Sequence, residues 1–120
     1  MLQFDVVTLF PPMFEAVTEA GITGRARDRG IFGLVAWNPR DFARNSYRTV
    51  DDRPYGGGPG MVMMAEPVYR ALKKVRKKNS FVVLMTPKGR RFDQALALKL
   101  AKKKHLVFIC GHYEGIDERI

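Results

Sequence analysis

Four largely apolar stretches of strand length recur along the chain. They lie at Leu2 to Leu9, Phe32 to Trp37, Phe81 to Met85 and Leu106 to Cys110. A strand with one solvent-facing side alternates apolar and polar residues, whereas a strand covered on both faces is apolar throughout. The pattern therefore predicts buried strands of a parallel sheet.

Three segments between these strands have helical character. Met13 to Ala20 is short and ends at Gly21, while Glu66 to Lys78 and Phe92 to Lys103 each carry an apolar stripe at helical spacing. Because the last two helices alternate with strands, we expect right-handed parallel crossovers. The predicted fold class is α/β, a mostly parallel sheet with flanking helices, in one domain that covers residues 1–120.

The connection from Asn38 to Gly60 has little periodicity and leads into the least ordinary segment, VDDRPYGGGPGM at residues 50–61. Adjacent glycines cost backbone entropy, so they suggest positive φ angles or close approach of the backbone to a partner. Pro54 and Pro59 stiffen the two ends. A flexible surface linker is the alternative, but the charged residues before the glycines and the apolar residues after them favour a held loop.

Composition supports one globular domain, with 120 residues of which 46% are hydrophobic. The net charge of +9 is concentrated between residues 70 and 104, where 13 lysines and arginines stand against one aspartate. Such a stretch suits a polyanion such as nucleic acid. The alternative is a set of solvated lysines at helix C-termini, where the helix dipole favours them.

One cysteine and two histidines exclude a disulfide framework and zinc sites of familiar spacing, so we expect a cytoplasmic protein. The N-terminus carries Asp5 and two prolines without a basic leader, which predicts neither a signal peptide nor a membrane span. Cys110 and His105, at the ends of the last strand, are interpreted as structural. His112 is the better functional candidate.

Two predicted strands end in loops rich in glycine and polar groups, TPKGRR at residues 86–91 and GHYEGIDER at residues 111–119. Ligands of open α/β sheets bind outside the carboxyl ends of the strands, so both loops together predict a pocket there. An ordinary turn with a helix cap is the alternative for each loop alone. The sequence lacks the dinucleotide fingerprint and the P-loop motif.

The segments VDDRPYGGGPGM, TPKGRR and CGHYEGIDER, in this order and spacing, resemble the bacterial tRNA (guanine-N1)-methyltransferases of the TrmD type. DVVTLFPPMF, GITGRA and WNPRDF add to the likeness, which leaves out residues 76–80. The resemblance implies a SPOUT-type fold with a trefoil knot and a homodimer with active sites at the subunit interface. It also implies S-adenosylmethionine as the methyl donor to N1 of the guanosine just 3′ of the anticodon in tRNA.

The resemblance implies roles for particular residues. The donor pocket would be lined by Leu84, Met85, Thr86, Pro87, Gly89, Gly111, Tyr113, Glu114 and Gly115. The flipped-out guanosine and its phosphates would be bound by Arg53, Tyr55, Gly56, Gly57, Gly58, Pro59 and Gly60, where bare backbone permits close approach. Glu114 would support catalysis and is a candidate magnesium ligand. The alternative for Glu114 is a charge at a helix N-terminus.

Some features depart from the family pattern. Thr86, Lys88 and His112 stand where serine, glutamine and arginine are usual. In the family, the general base, the rest of the knot and a C-terminal RNA-binding domain would follow residue 120. We therefore expect residues 1–120 to be an N-terminal fragment that is inactive alone and binds the donor weakly.

Two other functions remain open at this point. A noncatalytic RNA-binding domain would use the basic stretch, and its RNA binding would depend steeply on salt and not on a methyl donor. A phosphate- or nucleotide-binding enzyme would instead use the glycine loop at residues 56–60, and nucleotide would stabilise it.

Overall fold

The computed structural model describes residues 1–42, 51–52, 62–63, 65–86 and 89–110. The strands are β1 (Leu2–Val7), β2 (Phe32–Trp37), β3 (Asp51–Asp52), β4 (Val62–Met63), β5 (Ser80–Met85) and β6 (His105–Cys110). The α-helices are α1 (Glu15–Thr18), α2 (Gly21–Asp28), α3 (Ala65–Val75) and α4 (Gln94–Ala101), and single 3-10 turns lie at Pro11–Phe14 and Pro39–Phe42.

The long strands form one sheet in the order β2-β1-β6-β5, and every neighbouring pair is parallel. The two central strands carry most of the fully buried side chains, because each has a hydrogen-bonded neighbour on both sides. This arrangement confirms the four predicted strands and the α/β class.

One face of the sheet packs against α3. Val68 and Ala71 of the helix are fully buried against Val7 of β1 and Ile109 of β6, and Leu9 completes this core. The helix presents these side chains on one stripe because they are three residues apart. The core therefore lies between α3 and the carboxyl half of the two central strands.

The opposite face is lined by aromatic rings. Phe4 on β1 meets Phe32 edge-on at 5.8 Å between ring centroids and stacks on Phe108 at 5.9 Å. On the outer strand, the Lys103 ammonium group lies 4.8 Å from the centroid of Phe81. Because side chains alternate along a strand, these rings leave the sheet on the side away from α3.

The helical prediction near the N-terminus is corrected by the structure. The segment predicted to be one helix from Met13 to Ala20 forms a 3-10 turn followed by the single turn of α1, and the unpredicted α2 begins at Gly21. Gly21 has φ of +68°, which lets the chain turn between the two helices. The helix α2 carried no periodic signal because Ile22, one of its few large apolar residues, is exposed.

Two short strands flank the glycine-rich segment. β3 and β4 pair in antiparallel fashion, with Asp51 opposite Met63 and Asp52 opposite Val62. The glycines themselves lie outside the described residues, but the pairing joins the two ends of the segment that contains them. This supports the prediction of a held loop. No helix in the described ranges is long and apolar enough to cross a membrane.

Candidate functional site

The carboxyl ends of β5 and β6 lie side by side. Met85 pairs with Cys110, and Leu84 pairs with Ile109, so the last residues of both strands are at the same level. Neighbouring strands are about 4.8 Å apart. The segments that begin at Thr86 and at residue 111 therefore leave the same edge of the sheet next to each other, as the sequence predicted.

The described residues of the predicted donor pocket expose an apolar surface at this edge. The side chains of Leu84 and Met85 are 44% and 53% exposed. The Gly89 amide donates a hydrogen bond to the Thr86 carbonyl at 3.4 Å, which brings Gly89 back towards the end of β5. A methyl group on Gly89 would lie 3.1 Å from Thr86 Cγ2, so the close approach favours glycine. Apolar surface beside bare backbone fits a flat neutral ring such as adenine.

Most of the other predicted site residues lie outside the described residues. These are Pro87, Gly111, Tyr113, Glu114 and Gly115 of the donor pocket, the tRNA set Arg53, Tyr55, Gly56, Gly57, Gly58, Pro59 and Gly60, and His112. Their roles stay predictions. Among the residues that the structure describes, no cluster of histidine, cysteine, aspartate or glutamate could hold a metal ion.

An apolar cavity of about 340 Å³ adjoins the same edge. Its lining joins the chain after β1 to the end of β6 and consists of Thr8, Leu9, Phe10, Met13, Phe14, Val17 and Cys110. Burial raises the pKa of the Cys110 thiol, since the thiolate is poorly solvated there. The thiol therefore stays protonated at neutral pH, which agrees with the structural interpretation of this cysteine.

A chain of buried polar side chains crosses the sheet on the α3 side. The Trp37 indole N–H donates to Asp5 Oδ1 at 2.9 Å, and His105 Nε2 lies 2.6 Å from Asp5 Oδ2. The other ring nitrogen, Nδ1, lies 2.5 Å from Ser80 Oγ, which accepts a 2.7 Å hydrogen bond from the Lys77 amide. This series of hydrogen-bonded side chains thus includes one residue from each of the four strands of the sheet.

The polarity of this chain follows from what each group can donate. An ionised carboxylate only accepts hydrogen bonds, so Asp5 receives the protons of Trp37 Nε1 and His105 Nε2. Ser80 Oγ accepts from the backbone, and its hydroxyl is then able to donate to His105 Nδ1. Each of the four hydrogen-bonded side chains consequently has a partner, as buried polar groups require.

This serine, histidine and aspartate do not form a hydrolytic triad. His105 and Asp5 are only 3% and 7% exposed, and His105 and Ser80 begin their strands, at the edge opposite to the pocket. A catalytic triad needs a nucleophile that a substrate can reach. The arrangement is structural, as predicted for His105. Sequence reasoning missed Asp5, Trp37 and Ser80, although an acid inside an apolar strand was a usable signal.

Comparisons with known proteins identify the family of the chain. The family model described as tRNA (Guanine-1)-methyltransferase TrmD matches residues 2–120. A tRNA (guanine-N(1)-)-methyltransferase from Bordetella parapertussis is 53% identical over 125 residues, which cover 98% of this chain and 49% of the relative. The protein of the same name from Dictyoglomus turgidum is 48% identical over 120 residues, which cover 100% and 49%. The chain spans about half the length of these curated relatives.

The family match covers nearly the whole chain, including both strand-end segments and the glycine-rich segment that first suggested the resemblance. The chain therefore belongs to the tRNA (guanine-1)-methyltransferase TrmD family.

Proposed function

We propose that the protein carrying residues 1–120 transfers a methyl group from S-adenosylmethionine to N1 of the guanosine just 3′ of the anticodon in tRNA. The observation that carries the proposal is the pairing of Met85 with Cys110, in a chain of this family. Because Met85 and Cys110 are paired, the two segments that the resemblance implies to line the donor pocket begin at the same level, at one edge of the sheet. The relatives named as tRNA (guanine-N(1)-)-methyltransferases support the choice of substrate atom.

In this proposal, the exposed apolar carboxyl end of β5 receives the adenosine of the donor. Leu84 and Met85 offer apolar surface, and Gly89 lies close to Thr86 with no side chain of its own. When bound, S-adenosylmethionine supplies an electrophilic methyl carbon on a sulfonium. The remaining donor residues, Pro87, Gly111, Tyr113, Glu114 and Gly115, would close the pocket from the neighbouring segment.

The guanosine would lie between this edge and the glycine-rich loop. The β3–β4 pairing joins the ends of that loop, which supports a held wall rather than a linker. The guanine N1 proton must pass to a base as the new N–C bond forms. Asp5 and His105 do not serve as that base, because both are buried and bonded to each other, Asp5 in the middle of β1 and His105 at the start of β6. A homodimer, the trefoil knot, a magnesium ion on Glu114, a cytoplasmic location and the inactivity of residues 1–120 alone remain parts of the proposal.

The test is methyl transfer to an unmodified tRNA transcript. With the protein carrying residues 1–120 and radiolabelled donor, we expect one methyl group per tRNA, recovered as 1-methylguanosine after digestion. A transcript with adenosine in place of the target guanosine is the matched control and should accept none. Methylation of both transcripts, or of a different guanine atom, would contradict the proposal.

The noncatalytic alternative is favoured by one observation, the net charge of +12 between residues 70 and 104. An RNA-binding domain would bind the transcript with a steep salt dependence but would neither bind the donor nor release S-adenosylhomocysteine. Measuring donor binding by calorimetry in the presence and absence of tRNA separates the two functions.

A further inference from the structure

A basic groove lies at the carboxyl end of α3. It has a volume of about 350 Å³ and is lined by Tyr69, Leu72, Lys73, Arg76, Lys77 and Lys78. The first four residues follow each other at helical spacing, so they share one face of the chain. The floor is the half-buried Leu72, and the four cations stand exposed around it.

The cations of this groove are not neutralised by neighbouring acids. Within the described ranges, none of the four side chains forms an ion pair, and the nearest acid along the chain before them is Glu66, at the other end of α3. Favourable interaction with the helix dipole accounts for a lysine or two in the last turn. It does not account for three further cations in succession at Arg76, Lys77 and Lys78, which repel one another unless an anion lies among them.

The turn that presents two of these cations is held in place. The Lys77 amide donates to Ser80 Oγ at 2.7 Å, and the Ser80 amide donates back to the Lys77 carbonyl at 3.1 Å. Ser80 Oγ in turn contacts His105, which is bonded to Asp5. The buried polar chain therefore anchors the basic turn to the sheet, so less conformational entropy is lost when an anion binds.

The groove and the donor edge lie at opposite ends of β5. The strand runs from Ser80 beside the groove to Met85 at the edge, and five steps of about 3.3 Å give a separation of roughly 17 Å. A tRNA extends far beyond this separation, so one molecule held by its target guanosine at the donor edge is able to contact the groove as well.

From the charge, the anchoring and the distance, we propose that this groove binds the phosphodiester backbone of the substrate tRNA at a point roughly 17 Å from the donor edge. The inference rests on the proposed function for its choice of RNA. It concerns residues 76–80, which none of the motifs quoted for the resemblance includes. Such contacts position the RNA without reading its bases.

The experiment compares two triple variants of the protein carrying residues 1–120. One replaces Arg76, Lys77 and Lys78 by glutamine; the matched control replaces the exposed Lys99, Lys102 and Lys104 by glutamine and removes the same charge from the same basic stretch. We expect the groove variant to bind a tRNA transcript at least about tenfold more weakly, with a log–log salt slope reduced by about 2 to 3. The control variant should change affinity by less than about threefold.

A short RNA supplies the second arm. A trinucleotide centred on the target guanosine has one phosphate on each side of it and is too short to span this separation, so both variants should bind it equally. Replacing Lys77 and Lys78 by arginine keeps the charge and should preserve tRNA affinity. Equal losses in both triple variants, or no loss in either, would overturn the proposal, as would loss of binding to anionic phospholipid vesicles with tRNA binding unchanged.

The same variants separate this inference from the proposed function. If the protein methylates the transcript but the groove variant keeps its affinity and KM, the groove proposal fails and the function stands. If no methylation occurs but tRNA affinity falls in the groove variant alone, the groove stands and the function fails. If both hold, the groove variant should raise KM for tRNA and leave kcat unchanged at saturating tRNA.

Discussion

Asp5 lies in the middle of a buried strand, a position that an ionised carboxylate occupies at a cost unless donors surround it. The indole of Trp37 and the imidazole of His105 supply those donors at 2.9 and 2.6 Å. Removing either member of such a buried pair leaves the other without one of its two partners, and that loss exceeds the net worth of the interaction. The fold therefore depends on the pair being kept whole.

The prediction at this scale is a strong coupling between Asp5 and His105. Asp5→Ala and His105→Ala should each lower the free energy of unfolding by about 3 kcal/mol, because a buried polar group loses one of its partners. The double variant should lose less than the sum of the two, by about 1 to 2 kcal/mol. Urea unfolding followed by the fluorescence of Trp37, the sole tryptophan, measures all three.

The exposed pair of Arg27 and Glu19 is the matched control for this cycle. Their charged groups are 3.7 Å apart, but the side chains are 42% and 62% exposed. Solvent screening should hold their coupling below about 0.5 kcal/mol. If the losses at Asp5 and His105 were additive, with a coupling as small as that of the exposed pair, the claim that the two buried side chains depend on each other would be contradicted.

Single helices show where sequence patterns fail. The strands were readable because each is largely apolar, although burial on both faces holds for the central strands and not for the half-exposed edge strands β2 and β5. The helix α3 was readable because its apolar stripe packs against the sheet. The helix α2 was not, since its sequence GITGRARD offers almost no stripe and its buried residue is Gly24. Its position follows from packing against α1, which no local pattern reports.

That packing gives the prediction at the scale of elements. Alanine is a better helix former than glycine by about 1 kcal/mol, so propensity alone favours Gly24→Ala. In the fold, however, the added methyl group would lie 3.0 Å from the backbone carbon of Glu19, the residue that directly follows α1. Overpacking costs about 1 to 3 kcal/mol, so we expect net destabilisation of up to about 2 kcal/mol.

Thermal unfolding of Gly24→Ala beside Ile22→Ala checks this. Ile22 lies in the same helix and is 78% exposed, so its replacement should shift the free energy of unfolding by less than about 0.5 kcal/mol. An increase in stability for Gly24→Ala would show that α1 and α2 are free to move apart.

In the whole molecule, two different surfaces lie at the opposite ends of the strands. The carboxyl ends of β5 and β6 meet at Met85 and Cys110, whereas the basic groove lies beside Ser80, where β5 begins. The order of the motifs along the sequence predicted the first surface. The strand register that aligns its two segments comes from long-range pairing, and the groove depends on a turn tied to a buried histidine, so neither was readable from the sequence.

The central claim is that the methyl donor binds at the carboxyl edge of β5 and β6. Its most direct test is the change in backbone amide NMR shifts when S-adenosylmethionine is titrated into the protein carrying residues 1–120. We predict that the largest changes cluster at Leu84, Met85, Thr86 and Cys110, with little change at Ser80 and His105. Shifts confined to the Ser80 end of the sheet, or none at saturating donor, would contradict the claim.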